Sequence, residues 1–261
     1  MPIARLDHSV IRLSGEGVTD WLSGLISNSL DQAINFAALL TPQGKIIADF
    51  FAINDGDDWL LDTPMKFSDI LIKRLRLYRL RAKIDIEPLD YHVYGSWGAY
   101  PVEGLNALAD PRHPELGFRI ITESPLEITQ DDAKGEAHSL GDYDAHRLSL
   151  GIVDSQHDFD SSQIFPADAN MDLIGGIDFK KGCYVGQEVV SRMKRKTEVR
   201  KRMRSFSFQG ALSGTDIKAG ERVVGQVLHS HNGLGMALVR LDRLASSQSP
   251  TKVGDIFITI E

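Results

Sequence analysis

The sequence predicts an α+β protein of more than one domain that closes with a small β-barrel. Three observations carry this. The chain has 261 residues, a length that divides into two domains or three small ones at roughly 100–200 residues each. Up to residue 198, segments spaced for amphipathic helices alternate with apolar runs suited to strands. From Arg200 onward the helical spacing gives way to short strands separated by Gly and Ser, the pattern of an all-β module of about 60 residues. The boundary falls between 198 and 199, giving regions 1–198 and 199–261.

The elements follow in order. Leu6–Leu13 (LDHSVIRL) alternates well enough for a first strand. Gly17–Leu30 sets Val18, Trp21, Leu22, Leu25 and Ile26 on one helical face. Asn35–Asn54 holds two apolar runs around Thr41-Pro42-Gln43-Gly44. Pro presets φ there and Gly accepts a positive φ, so the segment reads as a hairpin. Asp58–Leu61 is a further strand, and Lys66–Leu80 a helix burying Phe67, Ile70, Leu71, Leu75 and Tyr78. Lys83–Ile86, Tyr91–Tyr94 and Gly117–Ile121 read as strands, Ser124–Ser139 as an acidic connector, and Tyr143–Leu150 as a short helix closed by Gly151. Asp154–Gly182 is rich in turn residues, and long loops of this kind are often functional. Val185–Lys196 is a helix, and the tail supplies strands at Arg204–Gln209, Arg222–His229, Gly235–Leu241 and Ile256–Ile260.

Composition narrows the function classes. A single cysteine, Cys183, rules out an intrachain disulfide, a four-thiolate zinc site and a self-contained iron–sulfur cluster. The N-terminus carries Arg5, Asp7 and Arg12 and has no apolar signal core. No apolar stretch approaches the roughly 20 residues that span a bilayer. These points give the expectation of a soluble, cytoplasmic protein with no membrane partner, and a monomer is the simpler expectation. The net charge of −7 conceals two basic runs, +7 over Arg192–Arg204 and +6 over Lys73–Lys83, so the rest of the chain carries −20. Concentrated positive charge suits a polyanionic small molecule, and a solvated helix face accounts for either run alone. A nucleic-acid role is disfavoured, because no recognition motif accompanies the charge.

The densest cluster of chemistry is Lys181-Gly182-Cys183-Tyr184-Val185-Gly186-Gln187-Glu188. Two glycines allow a tight turn and close approach of backbone to a ligand. Cys183 lies just before a helix and beside Lys180 and Lys181, both of which favour thiolate. Gln187 and Glu188 sit where a first helical turn caps backbone NH groups or meets a ligand's polar edge. The same residues also read as a small buried hydrophobe within a glycine turn, and the residues alone leave both readings open.

KGCYVGQE resembles the signature of the YgfZ-type folate-binding proteins, relatives of the glycine-cleavage aminomethyltransferase, whose mitochondrial members assist assembly of [4Fe–4S] proteins. Other stretches agree in order: WLSGLISNSL (Trp21–Leu30), LLTPQGKIIADFF (Leu39–Phe51), YRLRAKI (Tyr78–Ile84), RLSLGIVDSQHDFD (Arg147–Asp160) and FPADAN (Phe165–Asn170). The resemblance implies a ring-like, multi-domain aminomethyltransferase-type fold, with tetrahydrofolate in the central space and the C-terminal barrel at the end. It divides 1–198 into two interwoven α/β subdomains, the second roughly 45–135. It carries Lys181 and Cys183 over as the functional lysine and cysteine, with Tyr184, Gln187 and Glu188 completing a cofactor-binding set. It leaves open whether Cys183 is a nucleophile, a redox thiol or a transient cluster contact.

Asp168 stands where many relatives have Glu, and Thr197 where many have Gly. Asp69 lies near the place of the transferases' aspartate, and also reads as an ordinary exposed helix residue. Asn28 and Asn170 are candidates for a pterin edge, although asparagine in a turn is usually a cap. Arg147 is a candidate for a folate carboxylate, or for an i,i+3 bridge to Asp144. His229 and His231 share a strand face with no third ligand, so no metal site is expected. The function expected is a tetrahydrofolate-binding accessory protein for assembly or repair of [4Fe–4S] enzymes. Its partners are iron–sulfur assembly proteins or client enzymes. The alternative is a folate-dependent aminomethyl or one-carbon transferase.

Overall fold

The structure, a computed structural model, describes residues 2–98, 100–127, 136–196 and 199–261. Thr197 and most of the acidic connector lie outside the described residues. In chain order the elements begin with β1 (Pro2–Arg5), β2 (His8–Gly15), α1 (Val18–Ser23), β3 (Ile34–Leu40), β4 (Ile46–Asp55), β5 (Asp58–Pro64), α2 (Met65–Arg79) and β6 (Ile84–Leu89). There follow β7 (His92–Ser96), β8 (Ala107–Ala109), β9 (Phe118–Thr122), β10 (Glu136–Ala137), α3 (Leu140–Ser149), α4 (Ser155–Asp158) and α5 (Gln187–Lys196). The tail holds β11 (Lys201–Phe208), β12 (Asp216–Ala219), β13 (Arg222–His231), β14 (Leu234–Arg240), α6 (Leu241–Ala245), β15 (Thr251–Val253) and β16 (Ile256–Ile260).

Three sheets result. One has the strand order β3-β4-β5-β2-β6, a second β10-β1-β7-β9-β8, and the tail closes into a six-stranded barrel ordered β11-β14-β13-β12-β15-β16. The described strands within 45–135 are shared between the first two sheets: β4, β5 and β6 join β2 and β3, while β7 pairs with β1 from the N-terminus and with β9. The β3–β4 hairpin forms as its turn residues predict, with Thr41 and Gly44 closing the turn. Both strands are buried on both faces up to Ile53, which explains their continuous apolar runs. The helix expected over Gly17–Leu30 ends at Ser23, because Gly24 stops it and Ile26 bridges to Leu39.

The main core gathers Ile11, Leu13, Leu22, Leu39, Phe50, Trp59, Leu71 and Leu148, and the barrel has its own core of Phe206, Ile217, Val224, Ala237, Val239 and Val253. Polar contacts fasten the barrel to the rest. Asn170 Nδ2 donates to the Met203 carbonyl at 2.8 Å, Met203 N donates to the Asp168 carbonyl at 2.7 Å, and Arg202 grips Asp172 with two 2.8 Å bonds. His229 Nε2 meets Asp144 Oδ2 at 2.6 Å. Among the described residues, no helix is long and apolar enough to cross a membrane.

Candidate functional site

The signature forms a loop between two fixed supports. Gly186, at φ 82°, passes so close to the β3–β4 turn that a Cβ there would stand 2.6 Å from the Thr41 carbonyl oxygen and 3.2 Å from Gly44 Cα. Gly44 (φ 80°) faces Val189 of α5 in the same way, its own absent Cβ 3.0 Å from Val189 Cβ. Only glycine meets both the positive φ and the lack of space. The second support is Lys181, whose Nζ donates to the carbonyls of Ser23, Ile26 and Asn28 at 2.8, 2.9 and 2.7 Å. All three ammonium hydrogens are therefore engaged. Burial pulls its pKa down to about 8, opposed by Asp178. Lys181 is a strut between the loop and the segment after α1, which accounts for its place in the motif without a chemical step.

Between these supports the side chains sort by exposure. Tyr184 is buried beneath the loop with Lys181 Nζ 5.4 Å from its ring centre. Burial, with help from Asp178, pushes the phenol up to about 12. Gln187 Nε2 folds back to the Gly182 carbonyl at 3.2 Å, closing the loop on itself. Glu188 opens α5 and is exposed. Cys183 is exposed as a free thiol. The loop thus presents its one reactive atom outward on backbone fixed at both ends.

The other expected binding residues serve the fold. Asn28 Nδ2 donates to the Phe36 and Gly175 carbonyls, and its Oδ1 accepts from Ser29 N. Asn170 sits at φ 58° and fastens the barrel. Arg147 is buried, donating to Asp144 (2.7 Å), Asp158 (2.7 Å) and the Ile152 carbonyl (3.0 Å). Its guanidinium thus takes the i,i+3 bridge and a second carboxylate, leaving it no open face toward a ligand. Asp69 is exposed on α2. His229 is drawn to Asp144 and stacks on His157 at 4.8 Å between ring centres.

The centre of the molecule holds a charged network that the sequence reading missed. Asp62 accepts from Arg119 Nε at 2.7 Å and lies 2.6 Å from His8 Nδ1. Burial alone would raise its carboxyl, but Arg119 and His8 outweigh that and hold it at about 2. Asp110 binds Arg112 through two bonds of 3.0 and 2.8 Å, and both guanidinium groups lie over Phe51, Arg119 at 3.9 Å and Arg112 at 4.8 Å. Asp49, raised by burial, is held by the Ser155 hydroxyl. One signal for this network was present: Asp49 stands alone inside the apolar run Ile46–Ile53. The cavity these residues enclose, lined by His8, Asp49, Phe51, Arg112, Arg119 and Tyr143 among others, measures about 10 Å³, room for one water. None of the buried polar atoms lacking a partner belongs to that lining. This arrangement does not fit a folate.

Two five-stranded sheets followed by a closed six-stranded C-terminal barrel make up an aminomethyltransferase-like fold. The chain superposes on the glycine cleavage system aminomethyltransferase T from Bartonella henselae with a TM-score of 0.76, over 100% of this chain and 84% of that one. Identity is 12%, so the likeness is one of fold. Residues 200–261 match the model of the CAF17 C-terminal beta-barrel domain. The chain is 33% identical over 237 residues to the mitochondrial iron–sulfur cluster assembly factor IBA57 homolog of Mycosarcoma maydis, covering 82% of this chain and 58% of that one. It is 31% identical over 225 residues to the protein of the same name from Neurospora crassa, covering 74% and 50%. The chain therefore spans little more than half the length of the curated relatives it matches. These relatives carry the IBA57 name, and the C-terminal match is to CAF17.

Proposed function

We propose that this protein is an IBA57-type accessory factor for assembly or repair of [4Fe–4S] proteins and that it acts through Cys183. The observation that carries the reading is the contrast within the signature. Lys181, Tyr184, Gly186 and Gln187 all serve to fix the loop, while Cys183 is exposed as the signature's one thiol, with Glu188 exposed in the first turn of α5. A lone thiol cannot hold a cluster by itself, so it supplies a labile contact to clusters held by iron–sulfur assembly proteins or client enzymes. A cytoplasmic, reducing setting that keeps the exposed thiol free belongs to the same proposal.

Tetrahydrofolate, the cofactor that the signature's resemblance implies, is retained only as a proposal for an opened centre, in which Arg112 and Arg119 leave the Phe51 face. The aminomethyl-transfer reading is weakened by the same closed centre. The test is complementation of a deletion strain by Cys183→Ala, with protein abundance checked. Loss of [4Fe–4S] enzyme activity at unchanged abundance is expected, and full restoration would make Cys183 structural. Tetrahydrofolate binding is read separately by tryptophan fluorescence. A saturable change accompanied by faster hydrogen exchange around Phe51 is expected, and a flat titration removes folate while leaving the assembly reading intact.

A further inference from the structure

We propose that the C-terminal end of α2 is a docking site for an acidic, leucine-bearing segment of a partner protein. Leu77 and Leu80 are 58% and 88% exposed. Helical spacing sets Leu77 on one face with Lys73 and Arg76, Leu80 follows at the end of the helix, and Arg74, Arg81 and Lys83 flank them. Asp69, a turn before Lys73, is the one acid on that face. None of Lys73, Arg74, Arg76, Arg81 and Lys83 is paired with a carboxylate among the described residues, and Arg79 donates to the Ile84 carbonyl at 3.3 Å.

Leu80 adds an independent observation. It ends the helix at φ 46° and ψ −107°, the mirror image of extended backbone, where glycine is at ease and a branched side chain is strained. A leucine held in that conformation with its side chain in water gains nothing from the fold, and a partner's apolar surface would supply the missing burial. Unpaired cations around two leucines match acids around apolar side chains. A phosphate backbone offers leucine nothing to bury against, and two apolar side chains are too few to anchor a membrane.

The patch is close to the signature. Trp21 Nε1 of α1 donates to the Tyr78 carbonyl at 3.4 Å, and the Ser23 carbonyl at the end of the same helix accepts from Lys181. One six-residue helix therefore lies between the docking face and the loop that carries Cys183. That the partner is an assembly or client protein rests on the proposed function; the docking itself does not.

The test is fluorescence anisotropy of a labelled acidic amphipathic peptide against the whole chain. Controls are a leucine-free acidic peptide, single-stranded DNA and phosphatidylglycerol vesicles. Binding to the amphipathic peptide is expected to weaken about tenfold in Leu77→Ser and about tenfold in Arg76→Glu. Leu80→Gly weakens binding too, while its melting temperature holds or rises because glycine fits the backbone, so the loss is not one of folding. The proposal is overturned if these variants bind like wild type, if the leucine-free peptide binds equally well, or if DNA or vesicles bind more tightly than the peptide. No cluster enters this assay, so its failure leaves the role of Cys183 untouched, and complementation by Cys183→Ala leaves the docking untouched.

Discussion

Replacing Lys181 by Met separates a strut from a chemical group. The substitution keeps much of the apolar stem and removes three N–H donors that meet carbonyls at 2.7–2.9 Å. Hydrogen bonds to a charged group contribute roughly 1.5–3 kcal/mol each. Against them stands the cost of half-burying the ammonium, which is about 1–2 kcal/mol once solvent screening of the exposed half is allowed for. Water that reaches the freed carbonyls offsets a further part. A net loss of about 2–4 kcal/mol follows, or roughly 5–15 °C in melting temperature for a chain of this size. Thermal melting of the whole chain measures the loss, and hydrogen exchange over residues 23–28 shows whether it starts where the strut is anchored. If Lys181→Met melts within about 1 °C of wild type and still fails complementation, the lysine is acting on a substrate and the strut is incidental.

Gly186→Ala forces a Cβ to 2.6 Å from the Thr41 carbonyl at a positive φ, and a loss of about 2–4 kcal/mol is expected in urea unfolding. Arg147→Met leaves Asp144 and Asp158 without their buried cation and should cost about 3–5 kcal/mol by the same assay. Asp62, held at about 2 against an ordinary 3.8, contributes about 2–3 kcal/mol above pH ~4, and this contribution disappears as pH falls through about 2. The urea midpoints of wild type and Asp62→Asn should therefore draw together between pH ~4 and ~2, and a gap that stays constant would refute the assignment.

Legibility followed how local each determinant was. The β3–β4 hairpin rests on Pro42 and Gly44, α2 on its apolar spacing, and three of the barrel strands both begin and end within two residues of their expected limits. The short strands β12 and β15 hold four and three residues, too few for alternation to register, and they become strands only by closing the barrel. At the site, the type and spacing of KGCYVGQE pointed to Cys183 and to the turn glycines. The partner carbonyls of Lys181, from Ser23 to Asn28, come from more than 150 residues away, so its role was hidden. The i,i+3 bridge of Arg147 to Asp144 was readable from spacing, whereas its second carboxylate, Asp158, and the carbonyls that engage Asn28 and Asn170 are set by folding.

The approach of Gly186 to the hairpin turn bears on how such proteins are compared and rebuilt. KGCYVGQE and TPQGK are separated by some 140 residues of sequence yet form two halves of one contact: Gly186 cannot acquire a side chain while Thr41 stays in place, and Gly44, at a positive φ, faces Val189 just beyond the motif. A search that scores the cysteine motif alone weighs half of that unit, and a distant relative that keeps the motif but loses Gly44 should not be credited with the same loop. Grafting the motif onto another scaffold calls for both segments, since eight residues without their opposing turn have nothing to hold the thiol outward.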